Sequence, residues 1–183
     1  MLRSFFLAAL MAWNMPFGAH ADEISICYNY GCAASADVQL RGAQLSRIHM
    51  LLSWVGDAEE ERQAISQAIG LFQLAAGEQT PTANDRGRNF PDEGVDGRMD
   101  CIDHAHNTSA YLRLMDERGW LRFHRVLDPV KRAPLIFNEH WSARIAEKES
   151  GAEFVVDSWF FDNGHPAAIF TLAEWMKGAE PDE

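Results

Sequence analysis

The spacing of apolar and polar positions changes character several times along this chain. Residues 24–28 alternate as strand residues do, and a second short strand is expected at Val38–Leu40. Residues 43–55 and 58–76 then carry apolar side chains at the three- and four-residue spacing of helices. Asp57 precedes the second helix as a candidate N-cap. The first part of the chain therefore predicts two strands followed by two helices.

The helical pattern stops at Gly77 and returns at Asp100 or Cys101. The stretch between them, residues 78–99, is rich in Gly, Pro, Asn and Asp, and loops of this length in compact domains are usually functional or disordered. Because the loop directly precedes Cys101, we expect it to form a wall or lid of a site. The helix that follows should end at Gly119.

Strand-like alternation dominates the rest of the chain. Residues 121–127 lead into an expected turn at Asp128-Pro129. Residues 138–146 and 153–160 alternate as well, and the short turn Lys148–Gly151 joins them, which is the pattern of a β-hairpin.

A short closing helix is expected at residues 171–177. The order of elements predicts an α+β fold with N-terminal helices and a later helix, beginning near Cys101, packed on an antiparallel β-sheet. A chain of 183 residues suits one domain, which we assign to residues 22–183.

The first residues have the three-part pattern of a secretory signal peptide. Arg3 supplies a positive start, residues 5–13 are apolar, and Ala19 and Ala21 offer the small residues that a signal peptidase reads. A membrane anchor is the alternative, but the apolar run is far shorter than the ~20 residues that span a bilayer. We expect residues 1–21 to be removed after Ala21, leaving a periplasmic or secreted protein without a membrane span.

The formal net charge is −11, and removing residues 1–21 takes away one base (Arg3) and no acid, which gives −12. Nucleic acids and anionic membrane surfaces attract basic patches, and the pair Lys131-Arg132 is too short to form one. The sequence therefore argues against nucleic-acid partners, and we predict no cofactor.

Three cysteines are present, and export would place them where disulfides persist. Cys27 and Cys32 flank a short loop in which Gly31 can take the turn, so we expect these two to be bonded. Pairing with Cys101 is the alternative. If Cys27 and Cys32 are bonded, Cys101 is left as a free thiol and a candidate reactive site.

A thiol attacks as the thiolate, which the partial positive charge of a helix N-terminus stabilises. Asp100 as N-cap and Cys101 as first helical residue would give that placement, although nearby acids require a cationic partner as well. If the hairpin is centred between residues 148 and 149, His140 and Asp157 stand opposite each other. Asp157 could then orient His140, and His140 could take the proton from Cys101.

Three short motifs, in the correct order along the chain, carry a resemblance to a known family. Residues 101–105, Cys-Ile-Asp-His-Ala, resemble the Cys-x-Asp-x-Ala helix start of transglutaminase-like (papain-like) cysteine enzymes, and His140-Trp141 with a hairpin ending in Val156-Asp157 resembles their His and Asp strands. Members commonly have one residue between His and Trp and a proline after the Asp, whereas here Trp141 is adjacent and Ser158 follows.

The resemblance implies a thiol enzyme that transfers acyl groups at amide bonds of a protein or peptide substrate through a thioacyl intermediate. Cys101 would be the nucleophile, His140 the general base and Asp157 the residue that orients it. Hydrolysis would make the protein a peptidase or amidase, and transfer to an amine a transglutaminase. An oxyanion donor is also needed. The Cys101 N–H is one candidate, and the side-chain candidates are Gln73, Gln79 and Asn89.

Three other interpretations remain open. Cys101 and His104, three residues apart on a helix, could bind zinc with Asp103 or His106. Both histidines are otherwise expected on the helix surface or near the mouth of the cleft. The fold could also be an inactive binding scaffold of the cell envelope. Residues 162–164, Asp-Asn-Gly, are most simply a turn but could help to bind calcium.

Overall fold

The computed structural model describes residues 22–88, 92, 94–133 and 139–182. The predicted signal segment, residues 1–21, lies outside this part. Among the described residues no helix is long and apolar enough to cross a membrane.

Within the described residues the chain forms an α+β fold, as predicted, with four α-helices and two antiparallel sheets. The strands are β1 (Asp22–Tyr28), β2 (Ala34–Leu40), β3 (His124–Arg132), β4 (His140–Glu147), β5 (Glu153–Asp157) and β6 (Ala168–Thr171). The helices are α1 (Gly42–Ser53), α2 (Ala58–Gly77), α3 (Cys101–Glu117) and α4 (Leu172–Met176).

The two sheets share one hydrophobic core. β1 and β2 form a two-stranded sheet, and the other four strands pair in the order β3-β4-β5-β6. Helix α3 packs against both β1 and β4. The centre of the core is made of large side chains with almost no exposure, among them Phe72, Tyr111, Leu112, Met115 and Ile145. Helix α3 is thereby held by its apolar side, and its N-terminus meets the ends of β4 and β5 near the surface.

The predicted hairpin is present as β4 and β5, but its register differs from the expected one. Ala143 pairs with Val156, so the continued register places Asp157 opposite Ser142. His140 precedes Ser142 by two residues on β4. The two residues are close to opposite each other, as expected, but the register that would pair them directly is wrong by two residues. The turn is the reason. Glu147 N–H donates to Ala152 O (2.8 Å), so the turn is centred one residue later than the sequence argument assumed.

The predicted turn at Asp128-Pro129 is also wrong. Strand β3 continues through these residues to Arg132, and its pairing with β4 shifts between Leu127 and Val130. Proline has no N–H to donate and is tolerated in sheets at edges and bulges. Since β3 is the edge strand of its sheet, the chain absorbs Pro129 in a bulge and extends far enough to bring Arg132 beside His140.

Candidate active site

Cys101 is the first residue of α3 and the free cysteine of the chain. Asp100 caps this helix, and one of its carboxylate oxygens accepts hydrogen bonds from the backbone N–H groups of Ile102 (3.0 Å) and Asp103 (2.9 Å). The Cys101 thiol, which is partly exposed, therefore stands at the positive end of the helix dipole, where a thiolate is favoured.

Three donors hold the carboxylate of Asp157. Its Oδ2 atom accepts hydrogen bonds from His140 Nε2 (2.7 Å) and Trp175 Nε1 (2.9 Å). Its Oδ1 atom accepts a bond from the backbone N–H of Trp159 (3.2 Å). Asp157 is 1% exposed, and a buried carboxylate is tolerated because its oxygens are paired in this way. The fixed carboxylate in turn fixes the ring of His140.

Cys101 Sγ lies 4.0 Å from the carbonyl oxygen of Glu139, the residue directly before His140, and because Nε2 is bound to Asp157, the Nδ1 side of the ring is available for the thiol. Burial acts to lower the pKa of His140. The hydrogen bond to Asp157, the nearby Cys101 and the negative charges on both partners outweigh that effect and raise the pKa to about 9. The structure thus brings together all three residues that the sequence singled out, with His140 in the middle.

Aromatic rings surround the His140 imidazole. The ring centroids of Trp159, Trp175 and Phe160 lie 4.9, 5.7 and 5.8 Å from that of His140. His140 is 8% exposed, so these rings shield most of the imidazole from water and leave its contacts with Asp157 and Cys101 in a medium of low polarity.

Arg132 is a part of this site that sequence reasoning missed. Its guanidinium lies 4.7 Å from the Trp175 ring centroid, and Nη1 donates a hydrogen bond to the Trp175 carbonyl. Burial lowers the pKa of Arg132, and the nearby charge of Asp157 opposes that effect. Arg132 thereby fixes the indole that binds Asp157. The sequence offered only a basic pair, and its position depends on the bulge in β3.

Cys27 and Cys32 form the expected disulfide, and the loop between them docks on the start of α3. The backbone N–H groups of Tyr30 (2.8 Å) and Cys32 (2.6 Å) donate to the buried carboxylate of Asp103. Gly31 N–H donates to Asp100 (3.0 Å). Burial raises the pKa of Asp103, although these N–H donors act against the rise. Both acids beside Cys101 therefore serve to hold the loop.

His104 is not on the surface, contrary to the expectation from sequence. It is 2% exposed, with Nδ1 2.8 Å from Ser158 Oγ and Nε2 3.0 Å from Asp85 Oδ2. Both ring nitrogens face buried side-chain oxygens of other segments, so the ring is poorly placed to bind zinc with Cys101. His106 is exposed, as expected. Among the described residues, His106 lies close enough to Cys27 and Cys32 for the three to resemble a metal-binding cluster. The two cysteines are bonded to each other, so their sulfur atoms are not available as thiolate ligands.

The loop before Cys101 packs against the disulfide loop, and its expected role as a wall or lid of a site stays a prediction. Tyr30 Oη donates to Asp92 Oδ1 (2.6 Å), and Arg98 Nε lies 2.9 Å from Asp92 Oδ2. Asn29 N–H donates to Arg98 O (2.8 Å).

Residues 162–164 form the expected turn, which is closed by a hydrogen bond from His165 N–H to Asp162 O (3.0 Å).

Two of the three side-chain candidates for an oxyanion donor, Gln73 and Gln79, are hydrogen-bonded to backbone groups away from Cys101. Gln73 accepts a hydrogen bond from Gly164 N–H (3.3 Å), and Gln79 is bonded to the backbone of Gln39 (3.0 and 3.1 Å). Asn89 lies outside the described residues. The backbone N–H of Cys101 stays a prediction for this role.

No protein-family model, no curated protein and no solved structure matches this chain. Any function must therefore be argued from the site itself.

Proposed function

We propose that this protein is an exported thiol enzyme that transfers acyl groups at amide bonds, with Cys101 as nucleophile, His140 as general base and Asp157 as the residue that orients it. The observation that carries the proposal is the position of His140, which is bonded to Asp157 at 2.7 Å and directly follows Glu139, whose carbonyl oxygen lies 4.0 Å from the free thiol of Cys101. A fixed carboxylate on one side of an imidazole and a free thiol near the other form the arrangement that nucleophilic catalysis by a thiol requires.

The first half-reaction follows from these contacts. His140 Nδ1 takes the thiol proton, and Cys101 Sγ attacks the carbonyl carbon of the amide. The C–N bond breaks, the leaving amine takes the proton from His140, and the acyl group stays on sulfur as a thioester. Asp157 remains ionised and stabilises the imidazolium. The helix dipole at Cys101 adds to the stabilisation of the thiolate.

The second half-reaction determines the class of enzyme. If water attacks the thioester and gives its proton to His140, a carboxylic acid is released and the thiol is restored. If an amine attacks instead, a new amide forms. We favour hydrolysis, and hence a peptidase or amidase, because it needs no second substrate site. The substrate is then a protein or a peptide.

The order of the three groups supports the family resemblance described above. A nucleophile at a helix start, a histidine at the start of one strand and an aspartate at the end of the next are what a transglutaminase-like (papain-like) core requires. We therefore propose that residues 22–183 form one such domain. The disulfide supports the proposal that the protein is exported, since such bonds persist in oxidising compartments.

A pool of short peptides of varied sequence tests the proposal. The protein and a Cys101→Ser control are incubated with the pool, with and without a fluorescent primary amine, and the products are identified by mass spectrometry. We expect cleaved or deamidated peptides with the unaltered protein and none with Cys101→Ser. Products that carry the amine would indicate a transferase. Equal processing by both proteins would contradict the mechanism, and no processing by either would favour the binding-scaffold alternative.

A further inference from the structure

A buried polar network lies directly behind the candidate triad. Its members are His104, Ser158, Thr108 and Asp85, each 3% exposed or less. His104 Nδ1 lies 2.8 Å from Ser158 Oγ, and Ser158 Oγ lies 3.0 Å from Thr108 Oγ1. On its other side, His104 Nε2 lies 3.0 Å from Asp85 Oδ2. The network is too deeply buried for these side chains to touch a substrate.

The network joins the chain segments that carry the proposed triad. His104 follows Cys101 by one turn of α3, so the two share a rigid element. Ser158 directly follows Asp157 and precedes Trp159, and both of these neighbours contact the His140 ring. The hydrogen bond between His104 and Ser158 therefore links the nucleophile's helix to the strand end that holds the imidazole.

Asp85 brings in a third segment. Its Oδ1 atom accepts a hydrogen bond from the backbone N–H of Met99 (2.9 Å), two residues before Cys101. Its Oδ2 atom faces His104. The loop that leads into α3 is thus tied to the same histidine as the end of β5.

Stability alone does not explain why polar side chains occupy this buried position. An apolar core of the same shape is often as stable as a buried polar network, whereas hydrogen bonds fix distances more strictly than apolar contacts do. A proton transfer between Cys101 and His140 needs the two groups within hydrogen-bond reach, and a displacement of about 1 Å can cost orders of magnitude in rate. Distance control is what this network supplies.

We infer that His104 is a positioning residue which, through its hydrogen bond to Ser158, sets the separation between Cys101 and His140. This inference rests on the proposed function, because it concerns the geometry of the same thiol and imidazole. His104 itself touches neither the substrate nor the reacting atoms.

The test is the rate of Cys101 alkylation by iodoacetamide at pH 6 relative to the rate at pH 9. At pH 6 a fast reaction depends on the contact with His140, whereas at pH 9 an ordinary thiol with a pKa near 8.5 is largely ionised without help. The ratio of the two rates therefore reports the contact between thiol and imidazole, and a merely structural loss of stability would leave it unchanged.

Two pairs of variants isolate the hydrogen bond to Ser158. The amide of His104→Asn reaches the position of Nδ1 and can keep that bond, whereas the amide of His104→Gln reaches the position of Nε2 and keeps the contact with Asp85. Ser158→Ala removes the bond from the other side. Ser109→Ala is the matched control. Ser109 is buried like Ser158 but lies on α3, and its hydroxyl has no hydrogen-bond partner in the described part of the chain.

We expect His104→Gln and Ser158→Ala to lower the rate ratio about tenfold, because a displacement smaller than the ~1 Å that costs about a hundredfold already weakens the contact between thiol and imidazole. His104→Asn and Ser109→Ala should keep it. The inference is overturned if His104→Gln and Ser158→Ala lower only the midpoint of thermal unfolding and leave the ratio unchanged. If the unaltered protein already lacks fast alkylation at pH 6, the proposed function fails, and the inference fails with it. The two failures are therefore distinguishable.

Discussion

His140 and Asp157 stand diagonally across the β4–β5 hairpin, and their side chains nevertheless meet at 2.7 Å. Asp157 stands opposite Ser142 in the continued register, and His140 is two residues from Ser142 on the same strand. Because side chains alternate between the faces of a sheet with a period of two, His140 and Asp157 project from the same face. Diagonal neighbours are farther apart than directly opposite ones, but an imidazole is long enough to cover the gap. Every prediction below depends on this contact or on the segments that hold it.

Replacing Asp157 by Asn should lower the pKa of His140 from its value of about 9. The single amide oxygen can accept from Trp175 in place of Oδ2 or from Trp159 in place of Oδ1, and the substitution removes the negative charge that stabilises the imidazolium. An NMR titration of the His140 ring measures the change directly. Asp128→Asn, an exposed acid on the edge strand, is the control and should leave the titration unchanged. A His140 pKa that stays near 9 in Asp157→Asn would contradict the assigned role of Asp157.

Stability should fall as pH rises from about 6.5 to about 9. The pKa of His140 is raised in the folded protein, so the proton bound by its imidazole stabilises the fold. That contribution is fully present below the unfolded value of about 6.5 and is lost as pH passes the folded value of about 9. Urea unfolding of the protein and of His140→Asn at pH 6 and pH 9.5 should show the difference between their free energies of unfolding shrinking by about 3 kcal/mol. A difference that does not change with pH would refute the raised pKa.

Removing the Cys27–Cys32 disulfide should destabilise the protein by about 2 kcal/mol, the value expected for closing so short a loop. The double variant Cys27→Ala/Cys32→Ala and the single variant Asp103→Asn would be compared by urea unfolding. Asp103→Asn places an N–H group against backbone donors and should cost about 1–3 kcal/mol.

A double-mutant cycle then tests whether the loop and the acid act as a unit. Combining the variants of the disulfide and of Asp103 should cost less than the sum of the separate losses, because each already disrupts the docked loop. We expect a coupling free energy of about 1 kcal/mol. Strictly additive losses would mean that Asp103 does not hold the disulfide loop.

Gly97 and Gly94 make a matched pair in the loop before Cys101. Both have positive φ (+88° and +94°), so alanine is strained at either position. A Cβ at Gly97 would lie 1.9 Å from Pro81 O, whereas a Cβ at Gly94 meets nothing within 4 Å. Gly97→Ala should therefore lower the free energy of unfolding by about 2 kcal/mol more than Gly94→Ala does. Equal losses in urea unfolding would show that the loop does not pack on Pro81.

Much of the fold follows from local pattern. The helices that become α1 and α2 were predictable from spacing and from the Asp57 cap, whose carboxylate does accept from Glu60 N–H (2.8 Å). The hairpin and the start of α3 were predictable for the same reason. The register was not, because a turn centred between residues 148 and 149 and one centred between 149 and 150 differ by one residue, and sequence alone does not choose between them.

The surroundings of the site were harder to predict, because they depend on partners far apart in sequence. His104 is buried because Asp85 and Ser158 come to it from a loop without periodicity and from a strand end. The disulfide loop holds Asn29, Tyr30 and Cys32 at positive φ, which is uncommon outside glycine. The carboxylates at the start of α3 compensate through hydrogen bonds to the loop's N–H groups.

The most direct test of the central claim is the rate of Cys101 alkylation by iodoacetamide between pH 5 and pH 9, with a His140→Ala variant beside the unaltered protein. Mass spectrometry first verifies that Cys27 and Cys32 are bonded, so that Cys101 is the thiol being measured. We predict fast labelling well below the ~8.5 pKa of an ordinary thiol, lost in the variant. Slow labelling that rises only near that pKa, and equally in both proteins, would mean an inert thiol and would contradict the proposed enzyme.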